Sequence, residues 1–276
     1  FMSLYQPVSL STHANLQWQR YASYAFAKQD ALVSLVAQEM TRACTCLPIA
    51  FAREGDGFVP VAVQGFQPGQ NLWVAPDGRW LAQYVPAAYR GYPFALARTE
   101  QDQWVLCADM DSGLVGQFTA GANAQPFFDS QGQATEPVQE VFRFLQLVQA
   151  QRQVTVETCA ALQSEGLIVP WTIGVREGAH EREVQGLWRV DEARLDGLDA
   201  AALYRLQQAG ALPVAFCQRI SMQHIAALGP LAQSHAQAAA KAVQPVQPGQ
   251  TIPQSADGAG LGGLGALVQG DTLRFS

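Results

Sequence analysis

Between Asp77 and Phe94 the chain reads DGRWLAQYVPAAYRGYPF, with two guanidinium groups set among aromatic rings and prolines. Arg79 and Arg90 carry planar donor forks that can grip a carboxylate or stack on a ring. Trp80, Tyr84 and Tyr92 supply rings, and no acid–base or nucleophile–base set accompanies them. Chemistry of this kind binds rather than reacts. In an extended strand Trp80 and Tyr84 would share one face with Arg79 opposite, while Pro86 and Pro93 hold AAYRGY to a few backbone shapes. Arg79, Trp80, Tyr84, Arg90, Tyr92 and Asp109 are therefore the candidate ligand-binding residues, for a small anion, a sugar or a peptide end. The competing reading is a buried corner in which the rings fill the core and Arg90 pairs with an internal acid such as Asp109. Packing is the commoner use of large aromatic residues, so the second reading is favoured.

Other reactive side chains form weaker patterns. Asp109 and Asp111, two apart at the end of a predicted strand, face the same way and with Asp129 could supply paired carboxylates, although acids in such places more often form turns. Cys107 could be a nucleophile only as an exposed thiolate beside a cation. His13, His180, His224 and His235 sit in unrelated contexts, and G-x-S-x-G is absent, so a hydrolase triad is unsupported. Cys44-Thr45-Cys46 lacks a second pair at zinc spacing, and no metal is expected there. Gly258, Gly260 and Gly263 match G-x-G-x-x-G but follow a Pro/Gln-rich stretch rather than a strand, so no nucleotide cofactor is expected.

The 276 residues are 49% hydrophobic and 14% charged, with net charge −6 and only two lysines, Lys28 and Lys241. A globular fold follows, and the lack of a clustered basic face excludes a nucleic-acid binder. Five irregularly spaced cysteines fit reduced thiols better than a disulfide framework. FMSLYQPVSLSTH shows no signal-peptide pattern, so a cytoplasmic location is expected, and no apolar run is long enough to span a membrane.

Several elements must position these groups. Residues 17–27 suggest an extended segment, 30–43 a helix from Leu32, Leu35, Val36 and Met40, and LPIAF a buried strand. FVPVAVQGF, NLWVA, RWLAQYV, FALAR and WVLCADM then predict an antiparallel meander over 48–109, with Pro76-Asp77-Gly78 as its clearest turn. Thr135, Glu136 and Pro137 open one long helix or two successive ones, and Gly166 with Leu167 closes it. WTIGV and GLWRV suggest short strands, Asp191 and Asp199 open helical segments, LPVAFC is a strand candidate, and SMQHIAAL a short helix. From 231 the Ala/Gln/Pro/Gly-rich composition predicts a mobile tail, with Thr272 to Phe275 as a candidate edge strand. Strands first and helices later make an α+β fold, residues 1–230 forming one compact unit, with a split near 130 as the alternative.

YASYAFA, LPIAFA, DGRWLAQYVPAAYRGYPFALA, WVLCADM, PFFDSQGQATEPVQEVFRFL and GLWRVDEARLDGLDAAALYRLQQAG, in this order from about residue 5 to about 231, resemble the SapC family, a bacterial group named for a surface-layer locus. The positions that carry the resemblance include Asp77, Gly78, Arg79, Trp80, Tyr84, Pro86, Arg90, Pro93 and Phe94, then Cys107, Asp109, Asp129, Gly132 and Asp191. It implies a link to surface-layer synthesis or export, and genes near TonB-dependent receptors and halogenase-like flavoproteins, but no agreed reaction. Two departures are Gln218, where the family often has His three residues before Ser221, and ACTCLP ahead of the buried strand. The leading expectation is a cytoplasmic accessory protein that binds a small molecule, a peptide or a protein of an envelope or uptake system. The rivals are an enzyme acting on a peptide, amino acid or sugar through Asp109, Cys107 and Arg90, and a structural partner of an exported protein.

Overall fold

The structure is a computed structural model, and it describes residues 4–119, 123–177 and 180–243. The first half contains β1 (Tyr5–Pro7), α1 (Leu10–His13), β2 (Gln17–Gln19), β3 (Leu32–Ser34), α2 (Met40–Ala43), β4 (Ile49–Glu54), β5 (Gly57–Val63), α3 (Ala87–Arg90), β6 (Phe94–Arg98), β7 (Trp104–Asp109), β8 (Val115–Gly116) and β9 (Ala124–Pro126). The second half contains α4 (Glu136–Ser164), β10 (Ile168–Pro170), β11 (Ile173–Glu177), β12 (His180–Val184), β13 (Trp188–Val190), α5 (Glu192–Asp196), α6 (Ala200–Gln208), α7 (Ala211–Ser221) and α8 (Leu228–Val243). Antiparallel strands with helices gathered in the second half make this an α+β fold, as the sequence predicts.

The expected meander divides between two sheets. β4 and β5 form a hairpin inside a five-stranded sheet of order β10-β13-β4-β5-β3, whereas β6 and β7 form one in a separate sheet of order β1-β7-β6. NLWVA and RWLAQYV, between the hairpins, form no strands; one bridge, Val74 to Trp80, remains of the expected pairing. The turn itself is present, with the Gly78 amide donating to the Ala75 carbonyl at 2.8 Å. Gly78 sits at φ +87°, and a Cβ there would lie 2.0 Å from Ser23 Oγ, so only glycine lets the turn pack against the 23–25 segment.

Three other expectations change. Within 30–43, Val33 and Leu35 are buried while Leu32 and Ser34 are exposed, a period of two that makes β3, and only Met40–Ala43 is α-helical. Within 17–27 only Gln17–Gln19 is strand, and Ala25–Ala27 form a 3-10 turn. LPVAFC is helical: Ala211, Val214, Ala215, Gln218 and Ser221 are buried at helical spacing, which the six-residue run alone conceals.

Two apolar clusters form the core. The larger, with Leu47, Ile49, Phe51, Val63, Trp73, Leu162, Leu206 and Val214, surrounds the five-stranded sheet. The smaller, with Trp18, Phe94, Leu106, Phe127 and Val138, lies against the sheet of β6 and β7. The helix α4 serves both: Val138, Val141 and Leu145 face the smaller cluster, and Cys159 and Leu162 the larger. It ends as predicted, with Gly166 at φ +65°, its amide on the Gln163 carbonyl, and the Leu167 amide on the Leu162 carbonyl. Its start differs in one respect, because the Thr135 hydroxyl donates to the Pro126 carbonyl instead of capping the helix.

The residue-231 boundary falls inside α8, where Leu231 and Ala232 pack on the larger cluster and His235 Nε2 lies 3.1 Å from the Leu72 carbonyl. Residues 244–276, with Gly258, Gly260, Gly263 and Thr272 to Phe275, lie outside the described residues. No helix among the described residues is long and apolar enough to cross a membrane.

Candidate functional site

The 77–94 segment builds a wall and a support behind it. Asp77 accepts the Arg79 amide at 3.1 Å and the Arg79 Nε at 2.7 Å, which holds the Asp77 carboxyl below the usual carboxylate range, but the Arg79 side chain is 75% exposed. That pair closes a surface turn, and Arg79 does not join the other candidates. Trp80 donates its indole N–H to the Tyr84 carbonyl at 2.9 Å and packs on Tyr24 and Tyr89.

Arg90 finds an internal acid, and that acid is Glu39, not Asp109. The Glu39 carboxylate is buried and accepts the Val36 amide at 2.9 Å, the Tyr84 hydroxyl at 2.7 Å and the Ala87 amide at 2.7 Å. An Arg90 terminal nitrogen lies 3.8 Å from the same carboxylate and donates to the Tyr84 hydroxyl at 2.9 Å, while the guanidinium carbon stands over the Tyr84 and Phe144 rings. Burial, with the Glu39 charge next, pushes the Tyr84 phenol far up. One carboxylate thus fixes the entry to α3, and the expected corner exists with a different partner. The signal for Glu39 is a carboxylate three residues after Val36, at the spacing from which it can reach back to accept the Val36 amide.

Beyond α3 opens a cleft of about 1040 Å³. Leu32, Val33 and Ser34 of β3, with Phe26 and Asp30, form one side, and Phe94, Ala95 and Leu96 of β6, with Tyr5, Asp109 and Asp111, the other. Tyr89 and Tyr92 form its base, and Leu145, Val148, Gln149 and Arg152 of α4 cross it. The helix spacing of these four places them on one stripe, which is the signal that sequence reading missed for Arg152. Asp30 was likewise missed, at the start of the segment expected to be helical. Of the six predicted residues, Tyr92 and Asp109 line the cleft, whereas Trp80, Tyr84 and Arg90 lie in the supporting cluster.

Tyr92 stacks on Phe26 with centroids 3.9 Å apart and aims its hydroxyl at Asp109 Oδ2, 3.4 Å away. Burial, with the Asp109 charge second, pushes the Tyr92 phenol up to about 12, so it remains a donor at neutral pH. Asp109 Oδ1 accepts the Asp111 amide at 3.1 Å, which sets the carboxylate at the end of β7. Desolvation raises Asp30 above its ordinary value, against the opposing hydrogen bond of Tyr89. The Asp111 carboxylate and the Arg152 guanidinium have no hydrogen-bond or ion-pair partner among the described residues. Three carboxylates against one guanidinium give the cleft a net negative field, which favours a cationic occupant.

The remaining candidates are structural in their surroundings. Cys107 is 3% exposed, and burial pushes its thiol up, opposite to what a nucleophile needs. Asp129 Oδ1 accepts the amides of Gln131 and Gln133 around the turn at Gly132. Cys44 donates to the Thr41 carbonyl, and no group of three metal-ligating side chains occurs among the described residues.

The SapC family model matches residues 8–228. The chain belongs to the SapC family. No curated protein and no solved structure matches it. The match ends where α8 begins, so the SapC region holds both clusters and the whole cleft lining except Tyr5. At the departure from the SapC pattern, Gln218 is fully buried, accepts the Val190 amide at 2.9 Å and donates to the Ile49 carbonyl at 3.0 Å. Ser221 Oγ accepts the Ile49 amide at 3.0 Å. The two side chains therefore tie α7 to β4 and β13, and Gln218 spends both ends of its amide on the backbone. Asp191, also part of the resemblance, caps α5 through the Arg194 amide.

Proposed function

We propose that this SapC protein is an accessory binding protein whose recognition surface is the cleft between β3 and β6, taking a small molecule or peptide that carries a positive charge. The observation that carries the reading is the cleft of about 1040 Å³ whose lining holds three carboxylates, of Asp30, Asp109 and Asp111, and one guanidinium, of Arg152. Of the sequence candidates, Tyr92 and Asp109 contact the ligand, and Trp80, Tyr84 and Arg90 hold the base of the cleft in shape. The cytoplasmic setting is supported by the irregular, reduced cysteines, and the service to an envelope, surface-layer or TonB-dependent uptake system by the family resemblance alone.

Thermal-shift titration tests this directly, because a ligand that binds only the folded state raises the midpoint with concentration. Lysyl-lysine and spermine are expected to raise it, glutamyl-glutamate to leave it unmoved. Asp111→Asn, which removes an unpartnered exposed carboxylate, should keep the unliganded midpoint and shrink the shift. Equal shifts by the acidic and basic dipeptides, or a full shift in Asp111→Asn, would remove this reading.

A further inference from the structure

Two sheets end at the same cleft. β3 is the outermost strand of the five-stranded sheet and β6 that of its three-stranded neighbour, and residues of both strands line the cavity. In an antiparallel ladder alternate residues exchange N–H and C=O with the neighbour, and the residues between them point those groups the other way. The Leu35 amide bonds to the Pro60 carbonyl and the Gln64 amide to the Ala31 carbonyl, so residues 31, 33 and 35 are the set facing β5. Leu32 and Ser34 then direct their amides and carbonyls off the sheet. On the other wall the Asp109 amide bonds to the Pro93 carbonyl and the Thr99 amide to the Gln103 carbonyl, so residues 93, 95, 97 and 99 face β7. Leu96 is left turned outward in the same manner.

Unpaired strand edges are normally blunted by charge, proline or a covering element, because any extended chain can pair with them. Here two such edges border one concave, acidic space. A small amine would satisfy the carboxylates and leave the outward backbone groups of both edges to water. An extended peptide satisfies both sets, since its main chain pairs with the edges while alternate side chains reach the walls. We propose that the cleft takes an extended peptide segment bearing basic side chains, added as a strand to the free edges of β3 and β6, with Asp109 and Asp111 receiving its charged groups. This deepens the binding reading above and rests on it.

The test uses the full chain and a fluorescent acetyl-Lys-Val-Lys-Val-Lys-amide peptide, followed by anisotropy, beside the same peptide with alternate backbone amides methylated. Methylation keeps every side-chain charge and removes the ladder donors, so it should weaken binding by about 10-fold or more, as expected from losing one or two hydrogen bonds. Ser34→Pro and Leu96→Pro remove outward-facing amides while leaving those within the sheets, and each should weaken the parent peptide by about 10-fold at unchanged circular dichroism. Unchanged affinity in either folded variant overturns the two-edged arrangement. Should Leu96→Pro fail to fold, the methylated peptide still decides: if it binds as tightly as its parent while Asp111→Asn weakens both, strand addition is wrong and the cationic-ligand reading stands. Binding of spermine without binding of the peptide likewise rules out strand addition and keeps the cationic-ligand reading. Failure of spermine and peptide alike removes both.

Discussion

Glu39 shows how a single side chain can set the shape of a site it does not line. Its two oxygens collect the Val36 and Ala87 amides and the Tyr84 hydroxyl, and face Arg90, so the entry to α3 and the support behind the cleft share one charge. Glu39→Gln keeps the volume but turns one acceptor into a donor and leaves Arg90 without its counter-charge. We expect a loss of about 2–3 kcal/mol, read as a drop of roughly 5–10 °C in thermal midpoint, with Arg90→Ala in the Glu39→Gln background costing less than in the wild type. Equal costs in the two backgrounds would show that the groups act independently. A second residue couples stability to pH. His13 is fully buried against Phe127, accepts the Ser9 amide through Nδ1, and is held below its ordinary value of 6.5 chiefly by desolvation. Below about pH 6.5 the unfolded chain takes up a proton that the folded one resists, so this contribution is complete above 6.5 and is lost as pH falls. The fall in midpoint between about pH 7.5 and about 5.5 should therefore be smaller in His13→Asn, which keeps an acceptor for Ser9 and does not titrate. An identical fall in both proteins would assign the pH dependence elsewhere.

At the scale of elements, legibility followed the length of the periodic signal. The 29 residues of α4, its Gly166–Leu167 closure, the helices opened by Asp191 and Asp199, and the β4–β5 and β6–β7 hairpins can all be read from pattern and turn chemistry. LPVAFC misleads because six apolar residues suit a buried strand or a helix equally, and only the burial of Gln218 and Ser221 beyond it fixes the helical period. NLWVA and RWLAQYV have strand composition, yet Trp80 and Tyr84 enter the cluster around Glu39 and Tyr24 rather than a ladder, which is tertiary packing overriding local preference. The site divides in the same way. Tyr92 and Asp109 belong to one hairpin and its approach and are legible together, whereas Asp30, ahead of β3, and Arg152, on α4, lie far apart in the chain and meet only where β3, β6 and α4 border one cleft. No one-dimensional pattern encodes that meeting.

For the molecule as a whole, the cleft exists because two apolar clusters are joined along one helix and part near its middle. At about 1.5 Å per residue, α4 extends roughly 43 Å, with its first turns in the smaller cluster and its last turns in the larger. Leu145 lies at that transition: a Cβ on Gly91 would come within 2.6 Å of it, so the approach from α3 to β6 packs directly beneath the helix. A continuous helix transmits unfolding from one end to the other, because breaking it between the clusters would leave both halves without their buried face. We therefore expect residues 1–230 to unfold as one cooperative unit despite two cores. Leu162→Ala, in the larger cluster, and Leu106→Ala, in the smaller, should each cost roughly 2–5 kcal/mol. In native-state hydrogen exchange read by mass spectrometry, each substitution should lower protection of β5 and β7 by the same factor, since the most protected amides of both would open only by the shared global route. If Leu162→Ala loosened β5 and left β7 at wild-type protection, the clusters would open separately, the chain would divide near residue 130, and the cleft would be an interface between two movable parts rather than a fixed gap in one body.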